Sequence, residues 1–88
     1  SSDLVTNYFN RIGVAEAQMQ TAEHLAVGDE VMVTGQTTGV SRGTIGELRL
    51  DKGSVQKVHQ GDIFSFKTQS AVHRGDKLYR VDNVIDEY

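Results

Sequence analysis

Three Gly-Asp pairs constrain the fold of this chain more than any other feature of its sequence. Each stands directly before a β-prone apolar stretch: Gly28-Asp29 before residues 30–34, Gly61-Asp62 before 63–67, and Gly75-Asp76 before 77–81. Glycine adopts a positive φ at little steric cost, and an aspartate side chain hydrogen-bonds its own local backbone. We therefore expect Gly28, Gly61 and Gly75 to lie in turns, each immediately before a strand.

The remaining pattern also favours short strands. Residues 4–9, 12–19 and 40–50 are further strand candidates, Asp51-Lys52-Gly53 is a hairpin signal, and residues 54–60 form a short strand or one helical turn. The count is six or seven strands, separated by glycine-containing turns in a chain without proline. Closure removes the unpaired edges of so small a sheet. The sequence therefore predicts an all-β fold, a small six- or seven-stranded closed barrel.

Residues 12–19 are the most ambiguous of these strands. The segment Ala-Glu-Ala-Gln-Met-Gln has fair helix propensity, but Gly13 would cost a helix about 1 kcal/mol. If the segment is a strand, Ile12 and Val14 compete with Ala15 and Ala17 for the core. We favour the strand.

Composition limits the classes of protein to be considered. The 88 residues allow one domain, with a net charge of −3 and no cysteine. The negative net charge argues against binding of nucleic acid through a broad positively charged surface. The lack of cysteine fits a reducing compartment. No apolar run approaches the roughly 20 residues needed to cross a bilayer. We expect a soluble cytoplasmic domain without membrane contact.

The ends of the chain suggest how it relates to a longer protein. It begins Ser1-Ser2 without methionine, so we expect residues 1–88 to be a single domain cut from a longer protein; a trimmed stand-alone protein would look the same. Residues 82–88 form an acidic tail that we expect to fray, although Val84 and Ile85 could dock.

Several phrases resemble a known family. They are Asn-Tyr-Phe-Asn-Arg-Ile-Gly-Val-Ala at residues 7–15, Leu-Ala-Val-Gly-Asp-Glu-Val at 25–31, and Arg-Gly-Asp-Lys-Leu-Tyr-Arg-Val at 74–81. Their order resembles the second domain of translational GTPases such as elongation factor Tu. It is closer to the C-terminal barrel of the collagenase-like peptidase family U-thirty-two (U32), and to stand-alone translation-factor-like proteins. The resemblance spans roughly residues 6–81.

The resemblance implies that residues 1–88 come from the C-terminal end of a longer protein and have an accessory role. The chain has no phosphate-binding glycine loop, and the peptidase's catalytic region is a separate, larger domain. We therefore expect a non-catalytic recognition domain that positions a macromolecular substrate, protein or RNA, for the catalytic domain of a parent peptidase. The alternative is a stand-alone translation-factor-like protein that binds RNA or the ribosome. Partners would be the parent catalytic domain, a protein substrate, or tRNA; no cofactor is implied.

Candidate contact residues come from an exposed loop and from scattered cations and aromatics. Residues 36–39 read as the tip of an exposed loop, while cationic and aromatic side chains could grip and stack on RNA. The predicted interaction surface comprises Tyr8, Arg11, Gln36, Thr37, Thr38, Arg42, Arg74, Lys77 and Tyr79.

Catalytic and metal-binding sets receive little support. His59 and His73 occupy matching places in the repeated phrase Val-His-x-Gly-Asp and could meet at one barrel end, but we expect ordinary surface histidines. A catalytic triad could be assembled from Ser41, His59 and Asp62, but we do not expect one. The Gly-x-Ser-x-Gly match at residues 39–43 is not followed by the helix that a nucleophile elbow, the strand-to-helix turn carrying a catalytic serine, requires. Arg74-Gly75-Asp76 is better explained as the third turn than as an adhesion motif. We expect no catalytic residue and no metal.

Overall fold

Ten strands and no helix make up residues 2–81, the part of the chain that this computed structural model describes. The strands are β1 Asp3–Phe9, β2 Val14–Gln18, β3 Leu25–Ala26, β4 Glu30–Gly35, β5 Gly39–Thr44, β6 Leu48–Leu50, β7 Gly53–Val55, β8 Lys57–Val58, β9 Ile63–Lys67 and β10 Lys77–Val81. Across these residues no helix has the length and apolar character needed to cross a membrane. The predicted acidic tail, residues 82–88, lies outside the described residues.

The strands are arranged mainly in one large sheet. Eight form antiparallel ladders in the order β5-β4-β10-β1-β2-β9-β6-β7, and β3 pairs with β8 in a separate two-stranded ribbon. The all-β prediction is confirmed. The strand count was too low, because residues 25–26 form the further strand β3, residues 40–50 divide between β5 and β6, and residues 54–60 contribute to both β7 and β8.

Closure of the sheet into a barrel is not established by backbone pairing. Between residues 2 and 81, no ladder joins the outer strands β5 and β7. On the β5 side, the hydroxyl of Ser41 lies 2.8 Å from that of Ser70, which belongs to the segment between β9 and β10. The structure thus supports an all-β sheet in which outer strand β5 contacts that connecting segment.

Alternation along the strands builds one hydrophobic core. In β9, Phe64 and Phe66 are buried with ring centroids 5.6 Å apart, whereas Ile63 is 54% exposed. The strand preference for residues 12–19 is also correct, with a shorter extent. In β2, Ala15 and Ala17 are the buried set, and Ile12 is 66% exposed in the preceding turn.

The three Gly-Asp pairs all form the same turn. Gly28, Gly61 and Gly75 have φ values of +98°, +94° and +91°, and β4, β9 and β10 begin two residues later. In each turn the Asp N–H donates to the carbonyl oxygen three residues earlier, at 2.9–3.1 Å. The Asp carboxylate accepts from the N–H of that same earlier residue at 2.8–2.9 Å. The turn prediction is confirmed, and the reciprocal bonds explain why glycine is followed by aspartate.

Candidate functional site

A groove lies between the β4–β5 hairpin and the third Gly-Asp turn, and four of the nine predicted contact residues line it. We call it the hairpin groove; its exposed wall residues are Gln36, Thr37, Val40, His73, Arg74 and Lys77. Register brings the two walls together, since Lys77 of β10 pairs with Thr34 of β4, which in turn pairs with Val40 of β5. The predicted loop tip and the last strand therefore belong to one surface.

A hydrogen-bond network beneath the groove fixes its two walls. The Thr38 hydroxyl donates to the Asp76 carboxylate and lies 2.7 Å from His73 Nδ1. Because the hydroxyl has a single proton and gives it to the carboxylate, we place the ring hydrogen on Nδ1. Asp76 also accepts from the His73 N–H at 2.8 Å and is only 5% exposed. Thr38, predicted as a contact residue, is therefore a link between the walls.

Gly35 allows the Asp76 carboxylate to approach the hairpin. A Cβ at position 35 would stand 2.0 Å from Asp76 Oδ1, well inside van der Waals contact. Position 35 thus accepts no side chain while that carboxylate is in place. The sequence analysis missed the roles of Gly35 and Asp76 at this site. The repeated phrase identified the Asp76 turn, but no local signal connects it to residue 35.

Cations surround the mouth of the groove. Arg74 is exposed, and its Nε donates to the carbonyl oxygen of Thr6 at 3.0 Å. That oxygen is available because the β1–β2 ladder is irregular between Val5 and Asn7, which leaves Thr6 out of register. Lys77 is exposed at the start of β10. The groove therefore offers two cations and several hydrogen-bonding groups around a buried carboxylate.

Two other predicted residues lie on the adjoining outer face of the sheet. Arg42 of β5 and Tyr79 of β10 are both cross-strand partners of Met32, so the three form a row beside the groove. Arg42 is partly occupied, because its Nη2 lies 2.7 Å from Glu30 Oε2 and its Nε 3.0 Å from the same atom. Tyr79 is half-buried.

The structure does not bring every predicted contact residue to the groove. Tyr8 is half-buried against the core and lines a neighbouring depression that it shares with His73 and Arg74. Arg11 is exposed in the turn between β1 and β2, away from the groove walls. The predicted surface is thus a groove with an adjoining sheet face, from which Arg11 is separate.

The catalytic sets considered from the sequence do not assemble. Asp62 binds the main-chain N–H of His59, and the Ser41 hydroxyl contacts Ser70 instead. The suggested meeting of His59 with His73 is wrong, because His59 lies beside His24 and His73 beside Thr38. Within residues 2–81, no three side chains of His, Cys, Asp or Glu form a group suited to a metal ion. Burial of Asp76 also removes the acidic member of the adhesion-like tripeptide from the surface.

Two known proteins are similar in sequence to most of this chain. No family model matches the chain. A collagenase of Porphyromonas gingivalis is 41% identical over 75 residues, which are 85% of this chain and 20% of that protein. An uncharacterized protease of Methanocaldococcus jannaschii is 25% identical over 81 residues, 92% of this chain and 19% of that protein. The chain therefore spans about a fifth of the length of these relatives.

Two solved structures share the fold of this chain. The C-terminal domain of a Geobacillus thermoleovorans protein assigned to the U32 peptidases superimposes with a TM-score of 0.84. The resemblance to the U32 C-terminal domain is confirmed. The Geobacillus domain is 22% identical in sequence, and the match covers 92% of this chain and 91% of the solved chain. The selenomethionine variant of the same domain gives a TM-score of 0.79. The fold is thus that of the U32 C-terminal domain along nearly its whole length.

Proposed function

We propose that this chain is a recognition domain associated with a U32-type peptidase, which positions a macromolecular substrate for a neighbouring catalytic domain. The observation that carries the proposal is the match to one fifth of the Porphyromonas collagenase at 41% identity. The other four fifths of that protein provide ample length for a catalytic region. Residues 2–81 of this chain contribute a groove with fixed walls, while none of the catalytic sets considered above assembles in them.

The hairpin groove is the proposed contact surface. Its walls are tied together by Thr38 and Asp76, so little conformational entropy is lost when a ligand binds there. Gln36 and Thr37 offer hydrogen bonds, and Arg74 and Lys77 offer positive charge. These groups suit an extended polar segment that carries acidic side chains. The name of the Porphyromonas relative favours a protein substrate such as collagen.

A chimera tests the accessory role. The matched 75 residues of the Porphyromonas collagenase would be deleted, and in a second protein replaced by this chain. We expect the deletion to reduce hydrolysis of gelatin while hydrolysis of a short peptide persists, and the replacement to restore gelatin hydrolysis. Equal loss on both substrates, or none on either, would contradict a role in substrate positioning.

Matched variants locate the surface. In the chimera, Arg74→Ala and Lys77→Ala should lower gelatin hydrolysis with little effect on the short peptide. Arg49→Ala and Lys57→Ala remove exposed cations that lie outside the groove, and serve as controls. If the control variants reduce gelatin hydrolysis as much as the groove variants, the effect is one of overall charge and the groove assignment is wrong.

The alternative is a translation-factor-like protein that binds RNA or the ribosome, and a titration separates the two. Binding of tRNA to this chain would be measured over a range of salt concentrations, because phosphate contacts make affinity fall steeply with salt. Saturable binding that is lost in Arg74→Ala and Lys77→Ala, together with unchanged gelatin hydrolysis, would favour the RNA function. The net charge of −3 weighs against it.

Two finer expectations remain part of the proposal. One is a barrel like domain two of elongation factor Tu, which the contact of Ser41 in outer strand β5 with Ser70, beyond the end of β9, supports. The other is a cytoplasmic location, which the cysteine-free sequence supports.

A further inference from the structure

His24 and His59 form a cross-strand pair at one end of the β3–β8 ribbon. Leu25 pairs with Val58 in antiparallel register, so the next pair outward along the same two segments is His24 opposite His59. Their ring centroids lie 6.3 Å apart, and the ring planes are inclined at 42°. The sequence analysis did not pair these residues, which are separated by more than thirty positions in the chain.

The backbone on both sides of the pair is firmly held. On one side, the second Gly-Asp turn fixes His59, whose N–H donates to Asp62 Oδ2 at 2.8 Å. The two segments are also joined directly, because Gln60 Nε2 donates to the Gln20 carbonyl oxygen at 3.1 Å and the Gly61 N–H donates to that of Met19 at 2.8 Å. The separation of the two backbone segments is therefore set by the fold, while the exposed rings themselves can rotate.

The ring nitrogens of this pair are available. Within residues 2–81, the hydrogen bonds of His24 and His59 involve only their main-chain atoms. In contrast, His73 uses Nδ1 in the contact with Thr38. Imidazole nitrogen is a ligand suited to zinc, copper and nickel, and this pair presents two exposed imidazoles on neighbouring backbone segments, each with a free nitrogen.

We propose that His24 and His59 bind one divalent transition-metal ion, with zinc, nickel and copper as the candidate ions. With metal–nitrogen bonds of about 2.0–2.1 Å, two rings held at a tetrahedral angle have centroids roughly 5 Å apart. The observed 6.3 Å therefore needs an approach of about 1 Å, which rotation of the exposed side chains can supply. Water would occupy the remaining coordination positions.

The charges around the pair are compatible with a cation. Arg80 is a basic group beside the pair, since its Nη1 lies 3.3 Å from the His24 carbonyl oxygen. Its positive charge is offset by Glu23, since Arg80 Nη2 and Glu23 Oε1 lie 3.3 Å apart. Both histidines are exposed, so a hydrated ion can reach them without entering the core.

Calorimetric titration of the tag-free 88-residue chain with zinc chloride tests the proposal. We expect one zinc ion per chain, and His24→Ala and His59→Ala should each weaken the affinity by at least about tenfold. Both side chains are exposed, and circular dichroism checks that the variants remain folded. Absence of zinc binding, or unchanged affinity in both variants, would overturn the proposal.

Paramagnetic broadening provides a second readout that needs no variant. Substoichiometric nickel should broaden the imidazole proton resonances of His24 and His59 in the unmodified chain, and those of His73 should remain sharp. Equal broadening of all three histidines would indicate non-specific binding to exposed imidazoles and would also overturn the proposal. Neither experiment depends on the hairpin groove, so a failure of the metal-site proposal can be distinguished from a failure of the proposed recognition function.

Discussion

At Gly61 the backbone has a φ of +94°, and beyond the adjacent residues no atom lies within 4 Å of the place where a Cβ would be. The cost of a side chain at this position therefore comes from the local backbone conformation, without a clash against the rest of the fold. The same description applies to Gly28 and Gly75, at φ values of +98° and +91°. At the residue scale, these turns depend on the freedom of glycine to adopt positive φ and on the aspartate that follows it.

Gly61→Ala should destabilise the fold by about 1–2 kcal/mol, because an L-residue in the left-handed region brings its Cβ close to the backbone. Urea unfolding measures the change. Gly46→Ala is the matched control: it also has open space around it, but its φ is not positive. There we expect no loss, or a gain of up to about 1 kcal/mol from the reduced entropy of the unfolded chain. Equal losses at both positions would contradict the conformational explanation.

At the element scale, the β6–β7 hairpin shows how local hydrogen bonds tune a surface carboxylate. The Ser54 hydroxyl donates to Glu47 Oε2 at 2.6 Å, and Arg49 Nη1 lies 3.3 Å from the same oxygen. These contacts, the Ser54 bond above all, hold the pKa of Glu47 below its ordinary value. Because the pKa of Glu47 is lower in the folded than in the unfolded chain, the ionised carboxylate stabilises the fold. This stabilisation is fully present at pH values above the pKa of the unfolded chain, and it is lost as the pH falls through the pKa of the folded chain.

Ser54→Ala should raise the pKa of Glu47 toward its ordinary value, since the largest lowering contribution is removed. A titration of the Glu47 side chain followed by nuclear magnetic resonance measures this shift directly. Ser41→Ala is the control, because Ser41 contacts Ser70 rather than Glu47. A Glu47 pKa that is the same in the Ser54 variant and the parent chain would show that the neighbouring cations Arg49 and Lys67, and not Ser54, lower it.

At the scale of the whole molecule, Asp76 connects segments that are distant in sequence. Its turn precedes the strand that lies between β4 and β1, and its carboxylate fits against Gly35 of β4. Its own N–H donates to the His73 carbonyl oxygen, and its carbonyl oxygen accepts from the Val5 N–H at 2.9 Å. One residue thus joins the first strand, the β4–β5 hairpin and the last strand.

Gly35→Ala should cost about 1–3 kcal/mol, because the new methyl group overlaps the buried Asp76 carboxylate. Asp76→Ala should cost a similar amount, about 1–3 kcal/mol, since it leaves the Thr38 hydroxyl and the His73 N–H without their acceptor. In the double variant the overlap no longer exists, so the loss should be less than the sum of the two single losses. Urea unfolding of all four proteins measures this coupling.

Gly43→Ala is the control for that cycle, because it lies in the same hairpin with its nearest neighbour 4.0 Å from the added Cβ. Its effect should add to that of Asp76→Ala within about 0.5 kcal/mol. Strict additivity for Gly35→Ala as well would mean that the hairpin moves away from Asp76 at little cost. The close approach would then contribute nothing to the stability of the chain.

Local chemistry was sufficient to predict the turns, most of the strands and the all-β class. A Gly-Asp pair specifies a positive φ and a short-range acceptor within four residues, and alternating apolar residues specify a strand. Neither depends on the rest of the chain. The phrases around residues 7–15 and 74–81 also carried the resemblance to the U32 C-terminal domain, which the solved structures bear out.

Only the tertiary structure decided which side chains meet. Ala15 and Ala17 of β2 are buried, whereas the more hydrophobic Ile12 in the preceding turn is exposed. This choice follows from the pairing of β2 with β1 and β9, not from hydrophobicity. His59 lies beside His24 and not His73 because contacts across 35 residues depend on strand order and register. The sequence by itself thus determined where the chain turns and extends, since those choices are local. The hairpin groove and the histidine pair depended on long-range pairing, which no short stretch of residues specifies.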